Sequence, residues 1–156
     1  MSVPLHERGE NPYLVCSNAE KIYELTIKLC AKLPKRYGVL IASDVVKKAE
    51  EVAAYLHSAN VIYLTKDTFY EEFIERRLCF QRARGSLADL SFKVNLLISV
   101  PSCLRSYNPE TGKTSGVTIN EIKELAKLIQ SEKNLIHGAM ASDRKRYKHW
   151  HPELNE

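Results

Sequence analysis

The densest chemistry in this 156-residue chain lies near its end, in Ser142-Asp143-Arg144-Lys145-Arg146-Tyr147-Lys148-His149-Trp150-His151. Four cations and two aromatics stand within ten residues, Asp143 is their local acid, and Pro152 stops the run. This pattern suits single-stranded or structured RNA. Lysine and arginine track phosphates, while aromatic faces stack on bases for about 1 to 3 kcal/mol each. Arg144, Lys145, Arg146, Tyr147, Lys148 and Trp150 are therefore candidate nucleic-acid-binding residues. The competing reading is a solvated helix end whose positive charge complements the helix dipole.

Further cations lie upstream. Lys35 and Arg36 sit in a short turn beside Tyr37, which offers a stacking face. Arg76, Arg77, Arg82 and Arg84 crowd one helical segment, but at about 100° per residue they spread around it. Arg77 and Arg84 join the candidate set, and some of the four are expected to pair with acids such as Glu72 or Glu75. Arg76 falls on the apolar row of its helix. It must either leave the core or be buried against an acid, and exposure is the cheaper expectation.

The chain carries 23 Lys and Arg against 19 Asp and Glu, a formal net charge of +4, which permits polyanion binding without requiring it. Groups for bond-making chemistry do not converge. There is no G-x-x-x-x-G-K-[ST] phosphate loop and no H-E-x-x-H, and Glu50-Glu51 and Glu71-Glu72 lack the Glu-x-x-His companions of di-iron bundles. Cys16, Cys30, Cys79 and Cys103 form no C-x-x-C pair. His57 and His137 read as surface or packing residues. The expectation is a protein without catalytic residues, metal or cofactor. Met1 to Pro12 is polar and charged and no apolar run approaches the roughly 20 residues of a membrane span, so a cytoplasmic protein with reduced thiols is expected.

Positioning these side chains falls to helices. Residues 1–13, with Pro4, Gly9 and Pro12, read as an irregular arm, residues 14–150 as one bundle domain and 151–156 as a tail. Ser17-Asn18-Ala19-Glu20 has capping-box spacing, and Ile22, Leu25, Thr26, Leu29 and Leu33 form a stripe up to Pro34. Ile41, Val45, Ala49, Val52, Leu56 and Ala59 mark a second helix running to about Tyr63. Thr68 to Glu71 repeats the capping spacing ahead of a long heptad-like third helix, Phe73 through Leu97. Residues 101–116 read as a loop rich in turn formers. Thr118-Ile119-Asn120-Glu121 opens a fourth helix with Ile122, Ala126, Ile129, Ile136 and Met140 inward. No segment alternates with a two-residue period, so the fold class is all-α, an up-down-up-down four-helix bundle.

The turn Leu33-Pro34-Lys35-Arg36-Tyr37-Gly38-Val39, the long third helix and Ile136 through Lys148 closing the fourth form one combination. With Met1-Ser2-Val3-Pro4 at the start and Ser142 to Lys148 at the end, the chain resembles, over nearly its whole length, the accessory variability determinant proteins of diversity-generating retroelements. The resemblance implies a basic homopentameric barrel of four-helix bundles. It would bind the retroelement reverse transcriptase and its template RNA or cDNA and support mutagenic cDNA synthesis without being an enzyme. Four-helix proteins encoded within ribosomal-RNA intervening sequences share this architecture, which leaves an oligomeric interaction module without a reverse transcriptase partner as the alternative. Tyr55, Ile62, Tyr63, Leu125, Leu128 and Leu135, off the main stripes, are the positions expected to meet neighbouring subunits. The 101–116 loop and the tail beyond Trp150 are longer than a minimal member needs and are candidates for partner-specific contacts.

Overall fold

The computed structural model describes residues 12–67 and 70–155. Helix α1 spans Pro12–Ala31. It begins before the expected capping box, and Ser17 lies inside it. Val15 and Cys16 are already buried, so the stripe Val15, Ala19, Ile22, Thr26, Leu29, Leu33 starts a turn upstream of the cap signal. Glu20 reaches across to His57 Nε2 at 2.8 Å instead of back to a helix start. Residues 1–11 of the expected arm lie outside the described residues, whereas Pro12 and the following residue belong to the helix.

A helical turn at Lys35–Tyr37 and a π-helical stretch at Gly38–Ala42 lead into α2, Ser43–Val61. Val45, Ala49, Val52, Leu56 and Ala59 are buried along it, as their spacing predicts. Helix α3, Tyr70–Ser99, buries Phe73, Arg76, Phe80, Ala83, Leu87, Leu90, Val94 and Leu97 in an unbroken three-four alternation. The first two residues of its expected capping box lie outside the described residues. Helix α4, Ile119–Trp150, opens on the expected box: the Glu121 N–H donates to Thr118 Oγ1 at 3.2 Å and the Thr118 N–H donates to Glu121 Oε2 at 2.9 Å. Its buried row is Ile122, Leu125, Ile129, Glu132, Ile136, Asp143 and Tyr147. Leu125 is a core residue rather than an outward one, and Ala126 and Met140 are only half-buried, because the row keeps heptad spacing through two carboxylates.

The expected loop at 101–116 is structured. A 3-10 turn, Pro101–Cys103, precedes the antiparallel strands β1, Ser106–Asn108, and β2, Lys113–Ser115. Both strands are exposed on both faces, so burial imposes no alternation that sequence could reveal. Gly116 ties this hairpin to the bundle. Its N–H donates to Lys32 O at 2.8 Å, its φ is 94°, and a Cβ there would lie 2.5 Å from Leu104 O.

The four long helices form a ring in which α1 packs on α2 and α4, and α3 packs on α2 and α4. Neighbours are antiparallel. Lys32 meets Glu121 while Asn18 meets Glu132, and Asp44 reaches Lys93 while Glu51 accepts from Ser86 Oγ. The chain is thus an all-α four-helix bundle with one appended hairpin, and its core runs along the axis from Cys16 and Leu56 to Leu97 and Ile122. Among the described residues, no helix is long and apolar enough to cross a membrane.

Candidate nucleic-acid interface

The basic end of the bundle is organised by a residue that sequence placed outside. The Arg76 side chain keeps 9% exposure, and its Nε donates to Asp143 Oδ2 at 2.6 Å. Nη1 donates to the carbonyls of Ala59 at 2.7 Å and Ile62 at 2.8 Å, and Cζ lies 5.2 Å from the Phe80 ring centroid. Exposure was the cheaper solution only while no acid was in reach. Here one guanidinium neutralises a buried carboxylate and satisfies carbonyls that end α2, which offsets the cost of desolvating it. Asp143 is therefore a core residue of α4, and its three-four spacing from Ile136 is the signal that could have found it.

Tyr147 is also placed inward. It is 5% exposed and its ring lies 4.4 Å from that of Phe73, with an interplanar angle of 12°. The rings of His151, at 4.7 Å, and Tyr70, at 6.2 Å, complete the cluster. Its faces are taken by protein, which corrects the expectation that it would stack freely on a base. Four residues on from Asp143, it continues the buried side of the helix. Trp150 is half-buried, while Arg144, Lys145, Arg146 and Lys148 are exposed. Arg146 Nη2 stands 3.8 Å from Asp143 Oδ1 and so leans back on the buried pair.

Arg77, Arg84 and Arg144 converge on one cleft between α3 and α4. It has a volume of about 180 Å³ and an apolar lining of Phe73, Phe80, Met140 and Ala141. A second hollow of about 200 Å³ shares Phe73, Arg77 and Arg144 and adds Tyr70, Tyr147, Lys148 and His151. Among the described residues no carboxylate pairs with Arg77, Arg82, Arg84, Arg144 or Lys148, so the expected partners Glu72 and Glu75 do not neutralise them. Arg144 and Lys148, one turn apart, share this face, and Lys145 falls outside both linings.

Lys35 and Arg36 are exposed but elsewhere. Lys35 lines a polar hollow of about 500 Å³ with Lys32, Arg105 and Glu121 at the hairpin end. Arg144 is about 35 Å from Glu121 along α4 at 1.5 Å per residue. The fold thus gathers Arg77, Arg84, Arg144 and Lys148 and leaves Lys35 and Arg36 as a separate basic corner.

Sequence reading missed Glu132 altogether. It is fully buried, Asn18 Nδ2 donates to its Oε2 at 2.5 Å, and Oε1 has no partner among the described residues. Burial pushes its carboxyl up to about 7. Burial likewise raises the Cys16, Cys30 and Cys103 thiols, Cys30 to about 11, which leaves them poor nucleophiles. Comparison with protein-family models, with curated proteins and with solved structures finds no match to this chain. The chemistry of the cleft and the resemblance of the sequence are what bear on function.

Proposed function

We propose that this chain is a non-enzymatic, cytoplasmic accessory protein that binds RNA along the α3/α4 cleft and serves a retroelement reverse transcriptase. The observation that carries the RNA-binding part is the cleft itself. Arg77, Arg84, Arg144 and Lys148, each without an acidic partner among the described residues, border hollows lined by Phe73, Phe80, Tyr70 and Met140, with Gln81, His137 and the Arg76-paired Asp143 also in the lining. Cations beside apolar, ring-bearing hollows are the combination that holds a single-stranded backbone and its bases. The reverse transcriptase, its template RNA or cDNA and a homopentameric assembly come from the resemblance. Repetition around a symmetric oligomer would turn a modest charge per subunit into a multivalent surface.

The test is reverse transcription with and without this chain, alongside gel-shift titration of template RNA at several salt concentrations. Co-purification with the polymerase and its RNA, and a steep loss of affinity with salt, are expected. Four cations on a single strand correspond to a log-log slope of about −3. Unchanged cDNA synthesis on omission would remove the polymerase role, and absence of a shift would remove RNA binding.

A second reading has its own observation. Leu78, Phe92 and Leu96 are 44%, 65% and 43% exposed on the outer side of α3, and Val39 and Leu40 are 80% and 66% exposed at the π-helical turn. Apolar side chains left outward favour an oligomeric interaction module of the intervening-sequence type. Oligomers that form readily but ignore RNA would favour this reading over the first.

A further inference from the structure

The two hollows between α3 and α4 share a wall, and that wall is basic. Arg77 and Arg144 line both, Arg84 stands only in the first and Lys148 only in the second. Because α3 and α4 run antiparallel, the order along the seam is Arg84, first hollow, the Arg77 and Arg144 pair, second hollow, Lys148. Cation, ring-lined space, cation, ring-lined space, cation is the repeat of a single-stranded nucleic acid, in which phosphates alternate with bases. The spaces also suit one ring system each. At about 180 and 200 Å³ they fall below the roughly 300 Å³ at which pockets begin to take larger ligands. Phe80 and Met140 line the first, while Tyr70 and His151 line the second.

We propose that the cleft seats two consecutive unpaired nucleotides of a single strand, one base in each hollow, with the phosphate between them held by Arg77 and Arg144. This rests on the RNA-binding reading and adds a register to it. A surface that merely tracked phosphates would be indifferent to the bases, whereas a seated dinucleotide contributes stacking. Tyr147 then acts from beneath: held by Phe73, it forms part of the wall of the second hollow rather than a free platform.

The probes are a fluorescein-labelled oligouridine of about ten nucleotides and the same ribose-phosphate chain without bases, each titrated by anisotropy against the full chain. The base-bearing probe is expected to bind at least about tenfold more tightly, since each stacked base contributes about 1 to 3 kcal/mol. Ala141→Trp, at an exposed position on the rim of the first hollow, should fill that hollow and remove about half of the preference on a logarithmic scale, one base of the two, while leaving the salt slope in place. Met140→Trp provides the same block from within, and circular dichroism checks that both variants fold. Equal binding of the two probes by the unaltered protein, or Ala141→Trp and Met140→Trp proteins that keep the full preference, would overturn the seated dinucleotide while RNA binding stands. Failure of both probes to bind at low salt would overturn the RNA-binding reading as well.

Discussion

Arg76 and Asp143 are separated by 67 residues of sequence and joined by a 2.6 Å hydrogen-bonded ion pair in the core. That pair pins three helices at the basic end of the bundle, since the same guanidinium holds the last carbonyls of α2. It also turns Asp143 inward, so that of the described tail cations Arg146 alone, at 3.8 Å, reaches that carboxylate. Arg144, Lys145 and Lys148 are left to solvent, with Glu153 held by His151 at 3.0 Å beside them, and the neighbouring wall of α3 adds Arg77 and Arg84.

Asp143→Ala is expected to cost about 3 to 5 kcal/mol, because it leaves Arg76 buried without a counter-charge. Replacing both partners with apolar residues, Arg76→Met with Asp143→Leu, should recover most of that loss. Urea unfolding of the single and double variants reads the difference. A mild effect of Asp143→Ala would show that the guanidinium escapes to water when unpaired.

Glu132 makes stability depend on pH with a definite sign. Its carboxyl titrates near 4.5 in the unfolded chain and near 7 in the fold. Between those values the folded protein holds a proton that the unfolded chain has released, so this contribution is full below about pH 4.5 and is lost as pH rises through 7. The range spans on the order of 3 kcal/mol. Glu132→Gln should flatten the dependence and make the protein more stable than its parent at pH 8, an outcome that urea melts from about pH 5 to about pH 8 would check.

Two glycines with positive φ should respond differently. Gly112, φ 67°, has open space around its missing Cβ, whereas at Gly116, φ 94°, that atom would collide with the Leu104 backbone. Gly112→Ala is expected to lower stability by about 1 kcal/mol from strain alone. Gly116→Ala should cost clearly more and free the hairpin, visible as faster hydrogen exchange at the Gly116 amide position.

Adjacent cations should separate in RNA titrations. Arg144→Glu, in the wall shared by the two hollows, is expected to weaken binding at least about tenfold and to flatten its salt dependence. Lys145→Glu, exposed but outside both linings, should change affinity only a few-fold. Tyr147→Ala should act through folding and lower the melting temperature before it affects RNA, since its ring is packed on Phe73. Equal effects of the two charge reversals would place the RNA elsewhere on the tail.

Periodicity made much of the bundle legible. The stripes of α2 and α3 and the capping box of Thr118 and Glu121 can be read directly, because each depends on residues within one or two turns. The start of α1 is not legible, because Ser17 and Glu20 match a cap in spacing while Val15 and Cys16, just upstream, pack in the core. The hairpin is indistinguishable from loop in the sequence, because strands exposed on both sides carry no hydrophobic pattern. Of the candidate site, the exposed cations are visible by type, but the basic company that Tyr147 keeps in sequence points to solvent while its ring packs on Phe73.

The sequence by itself determined four amphipathic helices, an up-down-up-down order with short first connections and one longer third connection, and an excess of cations near the end of the last helix. Those properties follow from spacing and charge along one segment at a time. Only the tertiary structure decided which of those charges face water. Arg76 and Asp143 enter the core because each supplies the other's counter-charge, and Glu132 enters with Asn18 beside it. Arg77, Arg84, Arg144 and Lys148 meet because α3 and α4 run antiparallel at that end. Burial of a polar group depends on a partner far away in sequence, and no local pattern contains that partner.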